Sequence, residues 1–552
     1  MANRLAMNGL HGQEENTRGI METTPRAICL LIANLVLCIA APPAGNSQNV
    51  PRVTYDVAHD VSLPLRVMAQ FAAPTERRGV EVREQVRRLH LPLGGKDGAV
   101  QDRYLPQAST TQIIAFDGIT GSQAMVVPPD TNGSVGSTQF VEITNWVYEV
   151  FDKATGKILL PPTRYQTIWH GFRQGCGEND NGDPIVLWDK LAQRWLVSHL
   201  SFTSFTQKNL VCVAVSTTAD ATGSYSRYSF DFGSGNPDYE KFAVWSDAYY
   251  FSANTITPKF EFTSQPCAFD REAMLSGAKA KIICFPPDPK NFSLLPSDFD
   301  GATVPPTGEP NHYVELGKTA NVLNEFDFHV DFAHPRNSTF TGPHSIPVPS
   351  FSSACAGGFC IPEPPPGSLL DSLGDRLMYR LAYRNLGDHE SMVVVHSVKP
   401  GKGSSALAAT RWYELRATPP GGAFALYQAG TFQDPKTNLW MASIAMDKQG
   451  DIAMGMSASS KSLKPSVWYT GRVPSDPLGE MEAPTVAVKG TAVQESGING
   501  TVRWGDYSSM SVDPSDNCTF WYSQEYYNRK NGGPVSLDWS THIVAFKFDS
   551  CK

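Results

Sequence analysis

A recurring hairpin unit constrains the fold of this chain more than any other feature of its sequence. An apolar or aromatic strand runs into a turn that carries an aspartate, and a second strand follows at once. The unit reads "WVYEVFDKATGKILL" around Asp152, "IVLWDKLAQRWLVSHLSF" around Asp189 and "FAVWSDAYYFSAN" around Asp247. It returns as "WMASIAMDKQGDIAMGMS" around Asp447 and "SSMSVDPSDNCTFWYSQ" around Asp513, with "CAFDREAML" and Asp270 as a weaker copy. Aspartate suits such turns because its carboxylate accepts from backbone amides one to three residues on. The intervals are irregular, and the longest runs from Asp247 to Asp447. That interval holds further strands, "EFDFHVDF" and "RLMYRLAYRNLGDHESMVVVHSV", among Pro-rich insertions such as "GFCIPEPPPGSLLDSLGD". Antiparallel units repeating every roughly 40 to 65 residues predict an all-β β-propeller. At that size, residues 111–552 hold about six to eight blades, with about seven the expected number. The rivals are a pair of β-sandwiches and a right-handed β-helix, and the latter needs a shorter, stricter repeat than this chain shows.

Composition agrees. Aromatic residues make up 11% and charged residues 18% of the 552, with 45 Gly and 41 Pro. That balance favours short strands and turns over long helices. The formal net charge of −8 argues against nucleic acid as a partner, since phosphate backbones repel an acidic surface.

The N-terminal part differs from the rest. Residues 27–41, "AICLLIANLVLCIAA", follow Arg26 and precede small residues, the pattern of a signal peptide ending near residue 41. Met21 is a second candidate start. The apolar run is short for a membrane span, and no later stretch approaches one. The expected location is secreted or periplasmic. Residues 42–110 read as an N-terminal extension or propeptide. Within it, "TERRGVEVREQVRRLHLPLGG" predicts one short helix with Val82, Val86 and Leu89 on a face. Strand patterning is expected from Thr111 onward.

Beyond the signal, eight cysteines remain: Cys176, Cys212, Cys267, Cys284, Cys355, Cys360, Cys518 and Cys551. An even count in an exported chain predicts four disulfides, and pairing each with its nearest neighbour is the simplest of many connectivities. No Cys-x-x-Cys supports a zinc site.

At its turns the chain resembles the sialidase-type propellers, whose Asp-box runs Ser-x-Asp-x-Gly-x-Thr-Trp. "SVDPSDNCTFW" carries Ser511, Asp513, Thr519 and Trp521 in that order, two residues longer and without the Gly, and "AMDKQGDI" keeps Asp447 and Gly450. The set "PPDTNGSVG", "GDPIVLWDKLAQRW", "FHVDFAHPRNSTF" and "RWGDYSSMSVDP" is also similar to a group of secreted bacterial propeller proteins, over most of residues 112–530. The resemblance implies the fold and no reaction.

In a propeller, the polar residues just before each blade's first strand face a shared funnel. Here they are Asp130, Thr131 and Asn132; Asp183; Glu240 and Lys241; Asn438 and Trp440; and Arg503, Trp504, Asp506 and Tyr507. Arg503, Asp506 and Tyr507 are the catalytic candidates. Arg503 offers a bidentate clamp for a carboxylate, Asp506 a general acid or base, and Tyr507 a nucleophile or proton donor. The plainer reading makes Trp504 a filler between blades, with Arg503 and Asp506 a structural ion pair. The sialidase set of three arginines and a Tyr–Glu pair has no assignable arginine triad here, and Glu525 is the candidate partner for Tyr507. Asp130, Asn132, Asp183, Trp440 and Trp504 are the substrate-binding candidates, the tryptophans as platforms for sugar rings. "CGENDNGDP" is dense in oxygen ligands and makes Asp180 and Asp183 candidates for calcium, although the plainer reading is a solvated loop stapled by a disulfide. "EFDFHVDFAH" places Glu325, Asp327, His329 and Asp331 on one strand face, a pattern that suits a divalent metal or, more commonly, a wet surface.

Gly-x-Ser-x-Gly and His-Glu-x-x-His are both missing, which argues against an α/β-hydrolase and a zincin. Two function classes stay open: a carbohydrate-active hydrolase or lyase working at the funnel, and a non-catalytic extracellular module that binds a glycan or another ligand through its loops.

Overall fold

The alternating and fully apolar runs form strands, and the computed structural model arranges them as seven antiparallel meanders of four strands each, counted over the described residues. The structure describes residues 50–552, except 72–79, 82–95, 108–109, 180, 203–207, 257–261, 402–405, 496–502 and 529–536. The signal peptide, the charged segment with Val82, Val86 and Leu89, and Asp180 lie outside the described residues.

The first strands of the meanders are Asn132–Val135, Ile185–Asp189, Asn236–Val244, Leu295–Asp300, Met378–Asn385, Asn438–Met446 and Ser509–Val512. Each packs against the next in chain order, and the last packs against the first, which makes a closed ring. Between the fourth and fifth meanders the contact becomes a parallel pairing, with Ser297 opposite Leu381. This ring of radiating antiparallel sheets is a β-propeller. The ring shuts through its ends. The seventh meander takes its outermost strand, Thr110–Thr120, from the N-terminal side, where it pairs with Trp539–Phe548.

The expected aspartate turns are present. Asp189 accepts from Ala192 N at 2.9 Å, Asp447 from Gln449 N at 2.7 Å, and Asp513 from Ser515 N at 2.8 Å. These three join the first two strands of the second, sixth and seventh meanders, as Asp247 does in the third. Asp152 instead follows the third strand of the first meander, and Asp270 caps a short helix, Arg271–Ser276. The irregular spacing follows, because the fourth and fifth meanders, which fill the long interval, begin their hairpins with other turns.

The four disulfides are Cys176–Cys212, Cys267–Cys284, Cys355–Cys360 and Cys518–Cys551. Strand structure starts earlier than Thr111. Arg52–Tyr55 adds a fifth strand to the third meander and Ala58–Val61 a fifth strand to the second. Four residues each is too short a run for periodicity to reveal. Among the described residues, no helix is long and apolar enough to cross a membrane.

Candidate active site at the heads of the inner strands

Four first strands are preceded by an aspartate that follows Pro or Gly, Pro129-Asp130, Gly182-Asp183, Gly374-Asp375 and Gly505-Asp506, and a fifth carries Pro237-Asp238 at its start. Asp130 and Asp183 adopt left-handed backbone, φ 48° and 53°, as does Tyr239, φ 56°. Aspartate visits that region more readily than most residues. The turn brings the carboxylates of different meanders together. One carboxylate oxygen from each of Asp130, Asp183 and Asp506 lies within 4.8 Å of the others.

The cluster is wired by backbone as well as side chains. Asp130 accepts from the Asp506 amide at 2.8 Å and from Asn145 Nδ2 at 2.6 Å. Asn145 Oδ1 in turn accepts from the Asp183 amide at 3.0 Å, so one asparagine spans two aspartates. Asp183 accepts from Tyr239 N at 3.0 Å. Arg503 pairs with Asp506 and approaches Asp371 at 3.7 Å. Gly505 is required by crowding, because a Cβ there would sit 2.8 Å from Glu525 Oε2. That oxygen accepts from the Gly505 amide.

A second layer lies on the third meander. The Lys241 ammonium sits 3.9 Å from the ring centres of both Tyr239 and Tyr507. Asp375 holds Arg376 through two hydrogen bonds, of 2.8 and 3.0 Å, with the guanidinium over Tyr239.

Burial decides the protonation of this set. It pushes the Asp130 carboxyl well above its usual range, with the charges of Asp506 and Asp183 adding to the effect. Burial, then the Asp183 charge, raises Asp238 to about 7 and also raises Glu240. Burial lowers Lys241 to about 8. The same cause raises Glu525 and the Tyr507 phenol. Both Glu240 carboxylate oxygens, Asp238 Oδ2, the Tyr507 hydroxyl and Thr131 Oγ1 have no hydrogen-bond partner among the described residues.

The structure therefore brings together Asp130, Asp183, Glu240, Lys241, Arg503, Asp506 and Tyr507. All are buried, so the cluster is a closed one. The remaining candidates sit elsewhere. Asn132 accepts from Val186 N at 3.0 Å and ties the first strands of two meanders. Asn438 likewise accepts from Ala408 N at 2.9 Å. Trp440 and Trp504 pack 5.5 Å apart and are fully buried, whereas a sugar platform needs an open ring face. Glu525 binds the Gly505 amide, so no Tyr507–Glu525 hydrogen bond is present. In the oxygen-rich loop, Asn181 turns back to accept from Phe202 N while Asp183 turns into the cluster. Asn145, Asp238, Asp371, Asp375 and Arg376 were missed by sequence reasoning. The Pro/Gly-Asp dipeptide before an apolar strand is the signal that finds two of them. A cavity of about 630 Å³ lined by Pro286, Pro287, Lys290 and Phe340 lies on the outer strands, away from the cluster.

No protein-family model matches the chain, and no curated sequence matches it. Solved structures do. A Trypanosoma rangeli sialidase in complex with the inhibitor DANA is 10% identical, covering 66% of this chain and 54% of its own, with a TM-score of 0.29. The GH93 α-L-arabinofuranosidase of Fusarium graminearum in complex with arabinobiose is 8% identical, covering 82% and 97%, at 0.33. Drosophila Semaphorin 1b, extracellular domains 1-2, is 8% identical, covering 81% and 88%, at 0.34. This chain is thus matched to about half the length of the sialidase. The propeller assignment rests on the strand topology and not on these likenesses.

Proposed function

We propose that the protein is a seven-bladed, exported propeller whose acidic cluster is an acid–base centre acting on a carbohydrate, by hydrolysis or elimination. One observation carries this reading. The Glu240 carboxylate and the Tyr507 hydroxyl are buried and have no hydrogen-bond partner among the described residues, beside carboxyl groups that burial holds toward the protonated form. Buried polar groups without a hydrogen-bond partner call for an explanation, and a bound ligand supplies one where several of them meet charged groups. A carboxyl group held protonated near neutral pH is also what a general acid needs. In this reading Glu240 or Asp238 holds the proton that goes to the leaving oxygen. Asp506, oriented by Arg503, acts as base or nucleophile, and Asp130 and Asp183 line the substrate. Calcium, where bound, belongs with Asp183 and its neighbours Asp130 and Asp506, whose oxygens are the donor type it takes. The four disulfides fit an extracellular or periplasmic location.

The closed state of the cluster favours a second reading, a non-catalytic binding module whose acidic centre only holds the ring together. Assay of the purified chain against a panel of polysaccharides and glycoconjugates separates the two. Glu240→Gln and Asp506→Asn are expected to lower turnover by about 10²- to 10⁴-fold. Equal activity of parent and both variants, or none on any substrate, overturns the enzyme reading.

A further inference from the structure

The fourth meander carries a second cluster with different chemistry. Its strands Asn311–Leu316, Val322–His329 and Thr339–Pro347 lie side by side. In their register His312 stands opposite Asp327, and Glu325 stands opposite His344. Glu325 and Asp327, two apart, share a face. His312, Glu325 and Asp327 offer ligand atoms within 4.8 Å of one another, and His344, from the third strand, stands beside them on the same side of the sheet.

The distances are those of a ligand set. His312 Nδ1 lies 2.9 Å from Glu325 Oε1 and 2.8 Å from Asp327 Oδ1. His344 Nε2 lies 3.5 Å from Asp327 Oδ2. Metal–ligand bonds of about 2.1 Å place neighbouring ligand atoms about 3.0 Å apart at right angles and about 3.4 Å apart at tetrahedral angles. The opposite nitrogen, His312 Nε2, lies 3.1 Å from Glu309 Oε1. With Glu309 accepting from Nε2–H, Nδ1 either donates its proton to Glu325 and Asp327 or, with that proton displaced, offers a lone pair to a cation between them. This is the outer-shell arrangement that orients a metal-bound histidine. Trp245 and Phe424 pack around the same imidazole and fix its plane.

Charge points the same way. Three carboxylates, Glu309, Glu325 and Asp327, contact His312, and His344 approaches only Asp327, so a protonated His312 by itself leaves them under-neutralised. A divalent cation in place of the Nδ1 proton balances them better. Access exists, because the His344 side chain is 56% exposed and that of Asp327 32%.

We propose that His312, Glu325, Asp327 and His344 form a binding site for a divalent first-row transition metal such as zinc, with Glu309 orienting His312. Two imidazoles select this class over calcium, which takes oxygen ligands. The site is independent of the acidic cluster and needs no catalytic role.

The test uses the full chain, stripped with a chelator and titrated calorimetrically with zinc chloride. One equivalent is expected to bind, and zinc is expected to raise the melting temperature. The exposed His344→Gln and the half-exposed Asp327→Asn should each weaken binding at least about tenfold while leaving the apo protein's melting temperature near that of the parent. His334→Gln, an exposed change on the same hairpin, should leave binding unchanged. Cobalt(II) in place of zinc should give d–d absorption that His344→Gln alters. Absence of saturable zinc binding in the parent overturns the proposal, as does binding that both His344→Gln and Asp327→Asn leave intact.

Discussion

The amide of Asp506 donates to the carboxylate of Asp130 at 2.8 Å across a sequence separation of 376 residues. This bond joins the head of the last inner strand to the head of the first, so the ring closes within the candidate site itself. Asp130 also accepts from Asn145 Nδ2. Asp130→Ala strands two buried donors and is expected to cost about 2–4 kcal/mol. Asp130→Asn keeps one acceptor oxygen and turns its amide nitrogen onto the other donor, so its expected cost is smaller, about 1–2 kcal/mol. Urea unfolding of the two variants checks the difference. Equal losses would show that the acceptor at this position does not matter.

The acidic cluster should leave a signature in stability against pH. The Asp238 carboxyl is raised from an ordinary 3.8 to about 7 in the folded chain. Between those values the unfolded chain has released the proton and the folded chain has not, so stability falls as pH rises through that window. Lys241, lowered from 10.5 to about 8, acts in reverse, and stability rises between about pH 8 and 10.5. The combined contribution of these two groups is therefore lowest near pH 7 to 8. Asp238→Asn is expected to flatten the acid limb by about 3 kcal/mol between pH 4.5 and 7. Lys241→Met should flatten the alkaline limb. Urea midpoints measured from pH 4.5 to 9.5 decide, and limbs unchanged in both variants would refute the assignment.

Glu142 makes a second closure. Its Oε2 accepts from Ile119 N at 3.0 Å and Thr541 Oγ1 at 2.8 Å, and its Oε1 accepts from Ser523 Oγ. One side chain of the first meander thus grips both N- and C-terminal strands of the seventh. Glu142→Ala leaves buried donors unpaired and is expected to cost about 3 kcal/mol, more than Glu142→Gln, which retains an acceptor. Differential scanning calorimetry of the pair measures it, and hydrogen exchange should quicken first in Thr110–Thr120.

The local parts of this architecture were legible in the sequence, and the long-range parts less so. Asp189, Asp447 and Asp513 announced their turns because each carboxylate bonds amides only two or three residues away. The convergence of Asp130, Asp183 and Asp506 was suggested by their shared place before an inner strand, although only ring closure brings them into contact. Asn145 and Asp371 carried no such mark, because they lie away from the strand heads and reach the site through the tertiary fold. Trp440 reads as a platform and is buried, whereas the plainer reading of Trp504 as a filler between blades agrees with its burial, since a sequence shows an aromatic residue but not which neighbour covers its face. Glu325 and Asp327 were visible as strand-face partners, whereas His312 and His344 join them only through register across three strands.

Asp97 tests whether the segment before residue 111 is a removable propeptide or part of the propeller. Its carboxylate pairs with Arg411 and accepts from Thr431 Oγ1 at 2.9 Å. Arg411 is fully buried, donates to Thr431 Oγ1 and to the Pro349 carbonyl, and has Asp97 as its paired carboxylate. Close by, Gln101 exchanges hydrogen bonds with Met481, its side chain accepting from the Met481 amide at 2.9 Å. Removing Asp97 leaves a buried guanidinium without its counter-charge, a defect worth about 3–5 kcal/mol. Asp97→Ala is therefore expected to lower stability by that amount in urea unfolding. The double variant Asp97→Leu with Arg411→Met, which removes both charges, should recover part of the loss. A chain beginning at Thr110 should be less stable still, because it lacks Asp97, Gln101 and the strands Arg52–Tyr55 and Ala58–Val61. Undiminished stability of that truncated chain would return the segment to the status of a propeptide.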